Sequence, residues 1–150
     1  MTYTNNKVFV DSSILIEALK GNKVSFYRKL VSNIENENFI NNIVISEYLY
    51  HVLGFSSGVS PRTIKEKKRV GEILSSNAQL YSILSDFSYL NGDSALLTDV
   101  PSYMAKYNLL PNDAIILATC KIHGITKLAS HDSDFILPCQ AEGIELLTEQ

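Results

Sequence analysis

The chain has 150 residues, a length typical of a single domain, and a formal net charge of −3. Hydrophobic residues make up 45% and charged residues 19%, which excludes a largely disordered protein, and the small negative charge argues against a general polyanion binder. No apolar run is long enough for a transmembrane helix, and residues 1–6 lack the charged and apolar segments of a secretory signal. We therefore expect one domain over residues 1–150, in the cytoplasm.

The first part of the chain alternates predicted strands and helices. β-branched and aromatic runs are typical of strands, and apolar residues three or four apart are typical of amphipathic helices. The second strand is best formed at Ile43–Ile45, and Ser46 then has the side chain of a helix N-cap. The predicted elements are, in order, a strand at 7–10, helices at 14–19 and 24–34, a strand at 39–45, and a helix beginning at 46.

A helical arm is predicted over residues 46–75, within the same domain. The glycine- and serine-containing segment 54–60 is a predicted loop, and Ser60–Pro61 has the residues of an N-cap and a first helical position. The helix that they open is expected to reach about Leu74. This helix carries five basic residues within eight positions, namely Arg62, Lys65, Lys67, Lys68 and Arg69.

The last part of the chain is predicted to add strands and two helices. Residues 77–89 are ambiguous, with a weak alternation that favours a short strand at 81–84. Pro101 is expected to kink the helix at 93–107 or to divide it into two. The remaining predicted elements are a helix at 114–123 opened by Pro111–Asp113, a strand at 127–130, a turn at 131–134, and a strand at 144–147.

Strands that alternate with helices predict an α/β fold in three layers, with a mostly parallel sheet of about four or five strands covered by helices. Right-handed crossovers place the carboxyl ends of parallel strands at one edge, where ligands bind in such folds. Acidic residues from distant parts of the chain fall at that edge: Asp11 after the first strand, Glu47 after the second, Asp113 at the start of a helix, and Asp132 and Asp134 in the turn after a later strand.

Each of these acids alone has an ordinary structural explanation as a helix cap, a partner of a helix dipole or a turn former. If these acids lie close together, their ionised side chains repel one another. Two carboxylates about 4 Å apart repel by roughly 4 kcal/mol at an effective dielectric constant of about 20. Proteins place carboxylates together when protons or cations compensate the charge. Ligand sets of oxygen alone suit Mg²⁺ or Mn²⁺ rather than zinc.

Four segments of the sequence together resemble the PIN-domain nucleases, in the order in which that family carries them. The resemblance covers nearly the whole chain and is closest to the short, free-standing toxins of bacterial and archaeal toxin–antitoxin pairs, the VapC type. The third and fourth segments are the most specific. The segments are Val8–Ser13, Ile45–Glu47, Pro111–Thr119 and Leu128–Phe135.

The resemblance implies a metal-dependent endoribonuclease with RNA as substrate, a small antitoxin as partner, and a homodimeric assembly. The acids that match the family's catalytic and metal-binding positions are Asp11, Glu47, Asp113 and Asp132, with Asp134 at a more variable position and Ser13 as a supporting residue. We expect Asp11 and Asp113 to hold a first ion. Asp132, with Glu47 acting through water, is expected to orient a second ion or the nucleophile.

A carboxylate pocket repels phosphate, so a nuclease needs basic residues nearby. The predicted RNA-binding residues are Arg62, Lys65, Lys68 and Arg69, although the same residues also fit a solvated helix face paired with Glu66 and Glu72.

Two other functions stay open at this point. A Rossmann-like phosphohydrolase with an aspartate nucleophile usually has Asp-x-Asp after its first strand, where this chain has Asp11-Ser12-Ser13. A non-catalytic binding module is disfavoured, because all four matching acids are present.

Overall fold

The computed structural model describes residues 5–149 and contains a five-stranded, fully parallel sheet. The strands are β1 (Lys7–Val10), β2 (Glu37–Ile40), β3 (Ser88–Tyr89), β4 (Lys127–Ala129) and β5 (Glu145–Leu147), and their spatial order is β3-β2-β1-β4-β5. The helices are α1 (Ser12–Leu19), α2 (Val24–Ser32), α3 (Asn42–Ser57), α4 (Pro61–Glu66), α5 (Val70–Ser76), α6 (Ala78–Ser82), α7 (Leu96–Tyr107), α8 (Pro111–Ile122) and α9 (Ile136–Glu142).

The central strand β1 shows why the sheet has helices on both faces. Val8, Phe9 and Val10 are all 0% exposed. Successive side chains of a strand point to opposite faces, so three consecutive buried residues require cover on both. The predicted three-layer α/β fold is therefore confirmed. Within the described part of the chain, no helix is long and apolar enough to cross a membrane.

The predicted strand at 39–45 is wrong in its second half, because helix α3 begins at Asn42. The side-chain oxygen of Asn41 accepts the backbone N–H groups of Ile43 (3.1 Å) and Val44 (3.3 Å), so Asn41, and not Ser46, is the N-cap. The β-branched run that favoured a strand is helical since Val44, Tyr48 and Val52 form one buried stripe at a spacing of four residues.

The predicted arm at 46–75 consists of three helices instead of two, and it begins earlier. Helix α3 runs through most of the predicted loop at 54–60 and ends at Gly58, which has a φ of 70°. The helix predicted to run from Pro61 to Leu74 is divided into α4 and α5 at Lys68, whose φ is 56°. The backbone N–H groups of Lys68 and Arg69 bond to the carbonyls of Lys65 and Ile64, which is the hydrogen-bond pattern of a Schellman motif.

Three further expectations are corrected in the second half of the chain. The predicted strand at 81–84 is helical, because Leu80, Ile83 and Leu84 have helical spacing and pack against the core; the strand β3 follows it. Of the two outcomes expected at Pro101, the division into two helices is wrong, because α7 continues through Pro101 as one helix. The sequence interpretation missed α9, a helix that carries the buried residues Pro138 and Cys139 and ends at Gly143.

Candidate active site

Asp11 lies at the carboxyl end of the central strand, between β1 and α1, and is 5% exposed. Its backbone N–H bonds to the carbonyl of Ala129 at 2.9 Å, so the ends of β1 and β4 meet here. The hydroxyls of Ser13 and Ser130 both donate to Asp11 Oδ2 over 2.7 Å. Burial nevertheless raises the pKa of Asp11, since desolvation outweighs the two hydroxyl donors and the charge of Glu47 adds to the effect.

Ser130 connects Asp11 to the loop that carries the other acids. It is completely buried and directly follows β4. Its hydroxyl donates to Asp11 and also accepts the backbone N–H of Asp132 at 3.0 Å. A parallel link runs from the backbone N–H of His131 to the hydroxyl of Ser13, also at 3.0 Å. The two serines therefore fix the start of the 131–134 loop next to the end of β1.

Three carboxylates form a compact group beside this network. One oxygen from each of Asp113, Asp132 and Asp134 lies within 4.8 Å of the other two. Asp113 is in the first turn of α8, and Asp132 caps the turn after β4 by accepting the backbone N–H of Asp134 at 2.9 Å. These acids therefore meet at the carboxyl edge of the sheet, as the sequence predicts.

The electrostatic cost of this arrangement is concentrated on Asp113. Its pKa is raised from 3.8 to about 6, first by desolvation and then by the charges of Asp132, Asp11, Asp134 and Glu47. The four other acids of the sequence analysis thus all act on Asp113 in the folded protein. Such a group is favourable for a divalent cation, which removes the repulsion when it binds.

Glu47 lies in the second turn of α3, and side chains of two other helices donate hydrogen bonds to its carboxylate. Ser12 Oγ donates to Glu47 Oε2, and Asn112 Nδ2 donates to Glu47 Oε1 over 2.6 Å. The sequence interpretation placed Glu47 at the correct edge, although it started the helix four residues late. It did not identify Ser130, Ser12 or Asn112 as parts of the site. A polar residue directly after the apolar strand β4 is the one signal that could have indicated Ser130.

The basic residues lie along the arm, and two of the four predicted RNA-binding residues already have carboxylate partners. Arg62 Nε lies 3.1 Å from Glu66, and the guanidinium of Arg69 makes two bonds to Glu72, of 3.0 and 2.9 Å. All four predicted residues, Arg62, Lys65, Lys68 and Arg69, are exposed.

A groove of about 710 Å³ lies within this arm, between α3 and the segment 61–70 that contains α4. Arg62 and Lys65 line one side of it, and Tyr50 and Leu53 of α3 line another. Tyr50 follows Glu47 by three residues, so the two side chains occupy the same face of α3, less than one helical turn apart. One wall of the groove therefore lies within one turn of α3 from Glu47.

Comparison with known proteins agrees with these features. The PIN domain family matches residues 8–138. Ribonuclease VapC2 from Methanocaldococcus jannaschii is 38% identical over 133 residues, which cover 87% of this chain and 87% of the relative.

Solved structures show the same fold at lower identity. A toxin–antitoxin complex from Klebsiella pneumoniae superposes with a TM-score of 0.57 at 21% identity, over 86% of this chain and 90% of that one. VapBC2 from Rickettsia felis, solved with a DNA fragment from its promoter, gives a TM-score of 0.62 at 15% identity, over 96% of this chain and 99% of that one. Taken with the acidic site and the parallel sheet, these matches mean that the chain belongs to the PIN-domain family, as a member of its VapC type.

Proposed function

We propose that this protein is a divalent-metal-dependent endoribonuclease that acts as the toxin of a type II toxin–antitoxin pair. The observation that carries the proposal is the convergence of Asp11, Glu47, Asp113, Asp132 and Asp134 on one edge of the sheet, with a pKa of about 6 at Asp113. The ribonuclease name of the M. jannaschii relative supports the activity.

The residues present fit a hard divalent cation. Every side-chain ligand that the site offers is a carboxylate oxygen, the donor type of Mg²⁺ and Mn²⁺ sites. Asp11 with Asp113 remains our proposed pair for the first ion. Asp132, with Glu47 acting through water, would orient a second ion or the nucleophile, and Asp134 lies close enough to Asp113 and Asp132 to share in holding an ion. A bound divalent cation would polarise the scissile phosphate and lower the pKa of a bound water.

The chain's own residues contribute orientation and charge. Ser13 and Ser130 fix the carboxylate of Asp11, and the backbone N–H of Asp134 fixes that of Asp132. These neutral donors leave the acids negative, so they can bind a cation and accept a proton from an attacking water. Hydrolysis by water in this way yields a 5′-phosphate and a 3′-hydroxyl.

The arm is our proposed contact surface for the RNA backbone. Arg62, Lys65, Lys68 and Arg69 present exposed positive charge, and the groove that Arg62 and Lys65 line also contacts Tyr50, within one turn of α3 from Glu47. The pairing of Arg62 with Glu66 and of Arg69 with Glu72 does not prevent this role, since exposed ion pairs are worth only about 0–1 kcal/mol and exchange partners readily.

The proposal includes two protein partners and a location. The toxin–antitoxin structures among the neighbours support a small antitoxin that neutralises the enzyme. We further propose a homodimer of single PIN-like domains, each spanning residues 1–150, that acts in the cytoplasm, where its RNA substrate lies.

The test is cleavage of a total small-RNA pool in Mg²⁺, in Mn²⁺ and in EDTA. We expect discrete fragments with 5′-phosphate ends in the metals, none in EDTA, and none with Asp113→Asn. Asp99→Asn is the matched control, because Asp99 lies in α7 and is not among the charges that raise the pKa of Asp113. Cleavage by Asp113→Asn at the wild-type rate would refute the site, and a folded wild-type protein that cuts no RNA in either metal would refute the activity.

A further inference from the structure

Glu47 differs from the other acids of the site because side chains from two other helices hold both of its oxygens. Ser12 of α1 donates to one oxygen, and Asn112 of α8 donates to the other over 2.6 Å. A free glutamate side chain samples several rotamers, and such a pair of donors removes that freedom. The carboxylate of Glu47 is therefore restricted to one orientation at the junction of α1, α3 and α8.

The contact made by Asn112 has a particular consequence, since Asn112 precedes Asp113 in the first turn of α8. The hydrogen bond to Glu47 spans 65 residues of sequence and connects the second turn of α3 to the backbone that carries Asp113. The relative position of these two acids thus depends directly on the Asn112 amide. A shift of about 1 Å in a catalytic group is enough to cost a large part of an enzyme's rate.

The two donors also preserve the charge of Glu47. Neither Ser12 nor Asn112 is charged, and none of the ion pairs recorded among residues 5–149 includes Glu47. A carboxylate has about four acceptor positions. The two donors use two of them and leave the others available to water.

From this geometry we propose that Asn112 is a positioning residue, which fixes the Glu47 carboxylate for the hydrolytic reaction through their hydrogen bond. The inference rests on the proposed nuclease function. It adds to that function a residue that touches neither the metal nor the scissile phosphate and acts through Glu47 alone.

The chain contains a matched pair of the same chemistry outside the site. Asn22 Nδ2 donates to Glu17 Oε2 over 3.1 Å near the end of α1. Glu17 is not among the charges that act on Asp11 or Asp113. Asn22→Ala therefore removes an asparagine–glutamate hydrogen bond without disturbing the acidic site.

The first experiment measures kcat and KM for RNA cleavage at saturating Mg²⁺. We expect Asn112→Ala to lower kcat by about 10- to 100-fold, the usual effect of losing a residue that orients a ligand or catalytic group, with little change in KM. Asn112→Asp keeps the shape but sets a second carboxylate against Glu47, and its loss should be at least as large. An aspartate in the first turn of a helix is favourable, so this variant is expected to fold. Asn22→Ala should match the wild type.

The second experiment is a double-mutant cycle with Glu47→Ala, since this variant removes the acceptor. If Asn112 acts only through Glu47, Asn112→Ala should cause no further loss of kcat in the Glu47→Ala background. The same cycle in EDTA gives a readout independent of activity: Asn112→Ala should lower the melting temperature of the wild type but not that of Glu47→Ala.

Two results would overturn the inference. One is a kcat of Asn112→Ala within roughly twofold of the wild type. The other is an equal effect of Asn112→Ala in both backgrounds, on kcat or on the melting temperature. A wild-type protein without metal-dependent cleavage would instead refute the proposed function, so the two failures are distinguishable.

Discussion

Replacing Asp113 by asparagine is expected to make the metal-free protein more stable at neutral pH, although it removes a residue of the proposed active site. The pKa of Asp113 is raised from 3.8 to about 6 because its ionised form is desolvated and repelled by Asp132, Asp11, Asp134 and Glu47. A carboxyl group whose pKa is higher in the folded state binds protons more tightly there than in the unfolded state. Its ionisation therefore destabilises the fold.

The magnitude follows from the size of the shift. A rise of about two units corresponds to about 3 kcal/mol in the free energy of unfolding. Asp113 is only half-buried, and solvent screening reduces that figure to about 1–2 kcal/mol. For a chain of this length the gain in Asp113→Asn corresponds to a rise in melting temperature of roughly 2–8 °C.

The pH dependence shows in which direction the ionisation of Asp113 changes the free energy of unfolding. Above pH 6, Asp113 is ionised in both states and the wild type carries the full penalty. As the pH falls from 6 towards 3.8, the folded state takes up a proton first and most of the penalty is lost. The advantage of Asp113→Asn should therefore be large at pH 7.5 and small at pH 4.

The assay is thermal unfolding in EDTA at both pH values, with Asp99→Asn as the control. Mg²⁺ or Mn²⁺ should then reverse the order at pH 7.5, because an ion that binds only the folded state stabilises the wild type more than the variant. A variant less stable than the wild type in EDTA, or a difference that does not change between pH 7.5 and pH 4, would refute the account of repulsion given for this site.

Three further changes test other parts of the structure. Ser130→Ala removes one of the two hydroxyl donors to Asp11 and leaves the backbone N–H of Asp132 without its acceptor, which should cost about 1–3 kcal/mol in the free energy of unfolding; an unchanged urea midpoint would contradict this. Lys68→Gly relieves a left-handed backbone conformation and should stabilise by about 1 kcal/mol. Both Lys68→Gly and Lys68→Ala remove the positive charge, so both should bind RNA more weakly, with a smaller salt dependence of the affinity. Lys68→Ala keeps the backbone strain and should not be stabilised. Tyr48→Phe removes the 2.7 Å bond from the phenol to the carbonyl of Leu80, and calorimetry should show a loss of about 1 kcal/mol, with RNA cleavage unchanged.

The acids of the site could be predicted from the sequence because their positions tolerate errors in the predicted boundaries. Glu47 is the clearest case. The strand assigned to Ile43–Ile45 is in fact the first turn of α3, yet Glu47 still lies at the carboxyl edge, since α3 begins at the same edge where β2 ends. In a parallel α/β fold, the end of a strand and the start of the next helix are at the same side of the sheet.

The remaining features depend on tertiary contacts that no local pattern encodes. Ser130 and Asp11 are 119 residues apart, and Asn112 and Glu47 are 65 apart. Serine and asparagine are common at strand ends and helix starts for local reasons, so their identity alone does not indicate these bonds. The break at Lys68 could not be predicted either, because lysine rarely adopts a positive φ.

The hydrogen-bond partners of the acids explain why the site is built for an external cation. Within residues 5–149, the donors recorded to Asp11, Glu47 and Asp132 are serine hydroxyls, one asparagine amide and one backbone N–H. These groups orient the carboxylates without cancelling their charge, whereas a lysine or arginine in the same place would stabilise the acids and compete with a metal ion. The raised pKa of Asp113 results first from its burial and then from the charges of the neighbouring acids. The repulsion that destabilises the metal-free protein is therefore the same free energy that a divalent cation recovers when it binds.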